Sequence, residues 1–197
     1  MKKTEMNKIE EFEKIIGISF VNKELLKDAL THRSYVNEHK ECKTNNERLE
    51  FLGDAVLELV VSDYLYNKYF DRAEGELTSF RSALVKTESL AETATTLNIG
   101  EYMLLSKGEE DTGGREKSYL LANTFEAIIG GMYLDSGYSS CKEFIHAHLI
   151  EKLTDIVKNR LDIDSKTKIQ EMAQAKYKVT PIYEVINEQG PDHDKEF

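Results

Sequence analysis

The sequence predicts an all-α domain of about seven helices followed by a shorter segment of mixed α and β character. Three observations lead there. Apolar residues over the first 160 positions recur at helical spacing, and no run alternates with the period of two that marks a strand. Only two prolines interrupt 197 residues, so little in the chain forbids long helices. From residue 165 the pattern changes to one helix, a strand-like run and a turn.

Taken in order, Ile9, Phe12, Ile15 and Ile16 share one face of a helix from Asn7, which Gly17 ends. Asn22 caps a second helix carrying Leu25, Leu26, Ala29 and Leu30, and the polar stretch from Asn37 to Asn46 reads as a loop. A long helix then runs from about Asn46 to about Tyr69. Asp71-Arg72-Ala73-Glu74-Gly75 breaks the pattern; Leu77, Phe80, Leu84 and Val85 mark the next helix, and Leu90, Ala94 and Leu97 another before Asn98-Ile99-Gly100. Ser106 to Lys117, with Gly113-Gly114, is the most loop-like part of the domain. The least polar helix, Leu120 to Leu134, stops near Asp135-Ser136-Gly137. A last amphipathic helix from about Ser140 to Lys158 carries Phe144, Ile145, Leu149, Leu153, Ile156 and Val157. The domain is thus expected over 1–160, with a linker at 161–164. In 165–197, Thr167 to Tyr177 is helical, Tyr183-Glu184-Val185-Ile186 has strand character, and Gly190-Pro191-Asp192 is a turn. Such a tail cannot bury a core of its own at ~33 residues, so it is expected to dock on the domain or to be poorly ordered.

Composition narrows the function. Hydrophobic residues make up 40% and charged residues 31%, the profile of a helix-rich soluble protein rather than a disordered one. The apolar runs fall far short of the ~20 residues a membrane span requires, and Met1-Lys2-Lys3 leads into a charged amphipathic segment rather than a secretory signal. Cys42 and Cys141 lie far apart and form no Cys-x-x-Cys pair, which argues against a disulfide framework and a zinc site and for a cytoplasmic location. The formal net charge of −10 opposes a plain basic nucleic-acid surface. Two readings survive: the protein avoids nucleic acid, or part of its acidity is a carboxylate cluster whose bound cations meet the phosphate.

Glu47, Glu50 and Asp54 fall at i, i+3 and i+7, on one face of the long helix. A generic acidic stripe is most often a solvated face. Here Leu49, Phe51, Leu52, Ala55, Val56 and Leu57 border it, and like charges in such surroundings repel and lose hydration unless protonated or met by a cation. Glu126 is the sole charge between Tyr119 and Leu134, with Asn123 one turn before it. A lone Glu of this kind can simply be a hydrogen-bonded core residue. Alternatively Glu50, Asp54, Asn123 and Glu126 form an all-oxygen set from two helices, suited to Mg²⁺ and to phosphodiester hydrolysis. His32, His39, His146, His148 and His193 show no His-Glu-x-x-His spacing, and His146 and His148, two apart, read as ordinary surface or interface residues. Neither a Gly-x-x-x-x-Gly-Lys loop nor a Gly-x-Ser-x-Gly elbow occurs.

Glu47-Arg48-Leu49-Glu50-Phe51-Leu52-Gly53-Asp54-Ala55-Val56-Leu57 resembles the signature motif of the ribonuclease III family. Thr31-His32-Arg33-Ser34-Tyr35, Glu74-Gly75-Glu76-Leu77-Thr78, Ser106-Lys107-Gly108-Glu109-Glu110 with Gly113-Gly114-Arg115, and Asn123-Thr124-Phe125-Glu126-Ala127 resemble further family motifs in the same order. The resemblance implies an all-α endonuclease domain followed by a double-stranded-RNA-binding segment. It implies a homodimer that cuts double-stranded RNA with Mg²⁺, Mn²⁺ being a substitute, to leave 5′ phosphates and short 3′ overhangs during rRNA, mRNA and tRNA processing. It places metal binding at Glu50, Asp54, Asn123 and Glu126, with Asp54 and Glu126 catalytic. Glu47 and Glu74 match acidic positions associated with RNA contact or cleavage-site assembly, and Phe51 an aromatic residue that enters a pocket on the partner subunit.

Two departures stand out. Asn123 occupies a position where many members carry Asp, which keeps an oxygen ligand but loses a charge. Residues 165–197 resemble only the first half of a double-stranded-RNA-binding domain, in which Gln170, Gln174 and His193 match positions that touch the minor groove. This half holds five lysines against six acidic residues, so weak RNA affinity is expected. Two rivals to the nuclease remain: a dimeric RNA-binding protein of the same fold without cleavage, and an all-α interaction protein whose carboxylates are structural.

Overall fold

Residues 3–153 and 165–184 are described by a computed structural model, in which the chain falls into two units, Met1–Asp162 and Ile163–Phe197. The first unit opens with α1 (Lys3–Ile16), which buries Ile9, Phe12 and Ile16 of the face that the spacing predicts and leaves Ile15 exposed. In α2 (Lys23–Leu30) the Asn22 side chain accepts the Glu24 N–H at 3.2 Å, and Leu26, Ala29 and Leu30 turn inward. Then come α3 (Arg33–Glu38), α4 (Glu47–Lys68), α5 (Glu74–Val85), α6 (Thr87–Thr96), α7 (Ile99–Tyr102), α8 (Lys107–Asp111) and α9 (Ser118–His148). A 3₁₀ turn, Gly114–Glu116, precedes α9 and another, Ile150–Lys152, follows it.

The differences from the sequence reading are mostly short helices. Asn37 and Glu38 belong to α3 rather than to a loop, and the stretch from Ser106 to Lys117 holds α8 and a 3₁₀ turn. Neither α3 nor α8 buries a residue fully, so neither left an apolar period to read. Glu74 and Gly75 open α5 instead of breaking the chain, with the Glu76 carboxylate accepting the Ala73 N–H at 3.4 Å. The two helices expected on either side of 135–137 are nearly continuous, interrupted at Gly137 by a left-handed φ of 79°. Residues 154–158 of the last predicted helix lie outside the described residues.

The core is built around α9, which packs on α4, α6 and α2. Phe125, Ala127, Ile128, Ile129 and Met132 have no exposed surface. From α4, Leu57, Val60, Val61 and Leu65 face them; each such side chain contributes about 1.5–3 kcal/mol of hydrophobic stabilisation. The one β-bridge among the described residues is parallel and joins Thr31 to Leu104. No helix among the described residues is long and apolar enough to cross a membrane.

In the second unit α10 (Ser165–Tyr177) agrees with the predicted helix, and Ile169 and Met172 on it are exposed. Tyr183 and Glu184 carry no strand; Val185, Ile186 and the predicted turn at 190–192 lie outside the described residues.

Candidate active site

Glycine inside a helix costs about 1 kcal/mol relative to alanine, so Gly53 in α4 and Gly130 in α9 call for a packing reason. It lies in how closely the two helices cross. A Cβ on Gly53 would collide with the backbone carbonyl of Glu126 and stand 2.9 Å from the Gly130 nitrogen. A Cβ on Gly130 would collide with the Leu49 carbonyl and stand 3.0 Å from the Gly53 nitrogen. The backbones therefore touch, and the residues next to the contact, Glu50 and Asp54, are carried to the segment that bears Glu126. Helical periodicity found the carboxylates but not this crossing. The signal was there in Gly53 and Gly130, each a helix-interior glycine among apolar residues.

The carboxylates act on one another across this contact. Glu126 and Glu50 are half-buried and Asp54 is exposed. Burial, followed by the charges of Asp54 and Glu50, pushes the Glu126 carboxyl up to about 7. Glu50 is raised too, by burial first and then by Glu47 and Asp54. None of the ion pairs among the described residues involves Glu50, Asp54 or Glu126. Asn123, also half-buried, stands one turn before Glu126 on α9. Among the described residues no three His, Cys, Asp or Glu side chains are gathered closely enough to hold a metal ion. The carboxylates thus share a field without forming a closed ligand set, as like charges do with no cation between them.

The other predicted residues are spread more widely. Glu47 is exposed, accepts from Asn45 Nδ2 at 3.1 Å and pairs with Arg33 at 3.4 Å. Glu74 is exposed at the start of α5, where its carboxylate accepts the Thr78 hydroxyl at 3.0 Å. Phe51 is 82% exposed and borders a concavity with Leu25, Leu49, Leu52 and Leu134. On α10, Gln170 is half-buried and Gln174 exposed; His193 lies outside the described residues. His146 and His148 are only partly at the surface. Both are half-buried, the first edge-on to Tyr64 with ring centroids 4.9 Å apart, the second 4.7 Å from Phe144.

Comparison with known proteins bears on the whole arrangement. A family model described as ribonuclease-III-like matches residues 22–153. The chain is 47% identical over 192 residues to Ribonuclease 3 of a Nitratiruptor species, spanning 98% of this chain and 83% of that protein. It is 48% identical to Ribonuclease 3 of Listeria monocytogenes, spanning 98% and 84%. A solved structure of the nuclease domain of ribonuclease III from Campylobacter jejuni, described as flexible in a region involved in dimer formation, superposes with a TM-score of 0.68. It is 43% identical and covers 73% of this chain and 96% of that one. The matched span includes the Gly53–Gly130 contact and every carboxylate beside it, and on this extent of agreement the chain belongs to the ribonuclease III family.

Proposed function

We propose that the chain is an endoribonuclease that hydrolyses phosphodiester bonds of double-stranded RNA with the help of Mg²⁺, working as a homodimer. The observation that carries the reading is Glu126, a carboxyl held near a pKa of 7 in a nearly apolar helix, facing Asp54 and Glu50 with no cation paired to any of them. A structural carboxylate in a core is ordinarily satisfied by a donor or a counter-ion. Three mutually repelling ones beside a touching backbone are suited instead to a hard divalent cation, which takes oxygen ligands and tolerates retained waters.

In this reading Glu50, Asp54 and Glu126 hold the ion, and the Asn123 side-chain carbonyl supplies a neutral oxygen. When bound, Mg²⁺ would supply positive charge to the phosphate and lower the pKa of water. The protein's own contribution is positional. The α4–α9 contact fixes the spacing between Glu50, Asp54 and Glu126, and the Glu126 carboxyl, raised to about 7, would have to be fully ionised to hold a cation. Ion binding near pH 7 is therefore expected to release a proton from this chain.

Phe51 supports the dimer: a fully apolar ring left 82% exposed beside an apolar concavity is the pattern of a surface that a second copy covers. Residues 165–197 are proposed as an RNA-contacting lobe, through Gln170, Gln174 and His193, joined to the nuclease domain of 1–160 by 161–164. Products with 5′ phosphates and short 3′ overhangs, and rRNA, mRNA and tRNA precursors as substrates, follow from the family reading. Cys42 and Cys141 are both thiols rather than halves of a disulfide, in keeping with a reducing cytoplasm.

The test is cleavage of a long RNA duplex with Mg²⁺ at several salt concentrations, comparing the natural sequence with Asn123→Asp and Glu126→Gln. The expected result is cleavage by the first two and a loss of about 100-fold or more for Glu126→Gln. Cleavage only by the Asn123→Asp protein would make this chain a dimeric RNA-binding relative of the nucleases. Unchanged Mg²⁺ binding by Glu126→Gln would leave the carboxylates a structural role.

A further inference from the structure

We propose that His32 and Arg33 together hold a phosphate of the RNA strand next to the cleaved bond, His32 through Nε2–H and Arg33 through its guanidinium. This inference rests on the proposed function above and adds two positioning residues to it. The first support is how the imidazole is held. Its Nδ1 accepts the Ser34 N–H at 3.3 Å and lies 2.9 Å from Ser34 Oγ. That hydroxyl oxygen already accepts the Ser106 N–H at 3.0 Å, which leaves the hydroxyl proton to point at Nδ1. An Nδ1 that accepts places the ring proton on Nε2. Among the described residues Nε2 meets no hydrogen-bond partner, yet it is not one of the buried unpartnered atoms, so it opens to solvent as a fixed donor. Burial lowers the His32 pKa, against the opposing pull of Glu109.

The second support is where the ring is held. Its backbone N–H bonds the Leu104 carbonyl at 3.0 Å, and the carbonyl of the preceding Thr31 accepts the Asn46 N–H at 2.9 Å. Asn46 in turn accepts the Glu50 N–H at 2.8 Å, so Thr31, the residue before His32, is tied through two backbone bonds to the turn of α4 that carries Glu50. Glu47 is the electrostatic link, acting on both His32 and Glu50. Four charges act on the ring: Glu109 most strongly, then Arg33, Glu47 and Lys117. Lys117 is committed to Glu109 at 2.6 Å. Arg33 is not: its side chain is 70% exposed and its pair with Glu47 is 3.4 Å long with both partners in solvent. Such a pair is worth little, and a phosphate can take the guanidinium from it with bidentate geometry.

A fixed donor and a loosely paired guanidinium make separable predictions. Asn at an N-cap accepts as His32 Nδ1 does but has no donor at the Nε2 position, so His32→Asn should keep α3 and lose the contact. Affinity of the full chain for a long RNA duplex would be measured without metal over a range of salt, and kcat and KM with Mg²⁺. The expected outcome for His32→Asn is a five- to tenfold weaker affinity, about the size of one lost hydrogen bond, with an unchanged salt slope, a raised KM and kcat within about twofold. Arg33→Gln should weaken affinity and lower the salt slope by about one. If the natural sequence binds and cuts while both variants match it in affinity and KM, the inference falls and the function stands. If the natural sequence neither binds nor cuts at any salt, the functional reading itself fails. Should His32→Asn lose the fold in a thermal melt, the exposed Arg33→Gln still decides, an unchanged salt slope overturning the clamp.

Discussion

The α4–α9 crossing and the edge where α3, α7 and α8 meet are built by opposite means. At the crossing, two long helices touch backbone to backbone through Gly53 and Gly130, with no side chain between them at that point. At the edge, helices of four to six residues bury little apart from Ile99, and polar side chains reaching backbone groups tie them together. Arg115 Nη1 donates to the Gly100 carbonyl at 2.6 Å and to that of Met103 at 3.0 Å, Ser106 Oγ accepts the Glu109 N–H at 3.2 Å, and the Glu38 carboxylate accepts the Lys107 N–H at 3.0 Å. The first arrangement tolerates no added atom and fixes the carboxylates rigidly. The second is a set of separate bonds that can be lost one at a time.

The sharpest way to break the contrast is Gly53→Ala. Because the new methyl meets backbone rather than a side chain that could swing aside, the helices must separate. A destabilisation of about 3 kcal/mol is expected from overpacking of this kind, read as a lowered midpoint in denaturant, with loss of cleavage because Glu126 leaves Asp54 and Glu50. Alanine at Gly53 with unchanged stability would mean that the crossing is looser than its geometry.

A second test uses the charge trapped at the crossing. The folded Glu126 carboxyl titrates at about 7 against an ordinary 4.5, so the native state binds more protons than the unfolded one between those values. Its contribution to stability is therefore full below about 4.5 and is lost as pH rises to about 7. Because the group is only half-buried and therefore partly screened, about 1–2 kcal/mol is at stake. In metal-free protein the denaturation midpoint of Glu126→Gln should gain on the natural sequence between pH 5 and pH 8. The difference between the two proteins isolates Glu126 from His32 and His148, whose burial lowers their pKa values and works in the opposite direction. A parallel pH course for both proteins would remove the case for a repelling cluster.

The same contrast explains what could be read from the chain. Helix α4 was legible from its apolar spacing, whereas α9 up to Gly137, buried on nearly every side, was legible as the least polar run of the chain, in which Glu126 stood out as the one charge. The edge left no such trace. His32 caps α3 although histidine is not a usual N-cap residue, and α7 starts from Asn98 in the left-handed region at φ 53°. Contacts such as Ser34 with Ser106, separated by 72 residues, follow from packing of the whole domain and from no local pattern. The bond-by-bond construction that hides this edge in the sequence also makes its response to mutation mild.

Ser34→Ala measures that mildness. The substitution removes the acceptor of the Ser106 N–H at 3.0 Å and the group 2.9 Å from His32 Nδ1, while the Ser34 N–H still caps the ring at 3.3 Å. Ser106 is buried, with 8% of its surface exposed, so its N–H is left without easy access to water, at a cost of about 1 kcal/mol. The loss should show as a small drop in denaturation midpoint. No change is expected in the pH course set by Glu126, since nothing at the α4–α9 contact moves. Combined with Glu126→Gln the two effects should add within about 0.5 kcal/mol, as for sites that share no partner. A larger coupling would mean that the edge and the crossing are one mechanical unit, and that His32 is positioned by the same contact that holds the carboxylates.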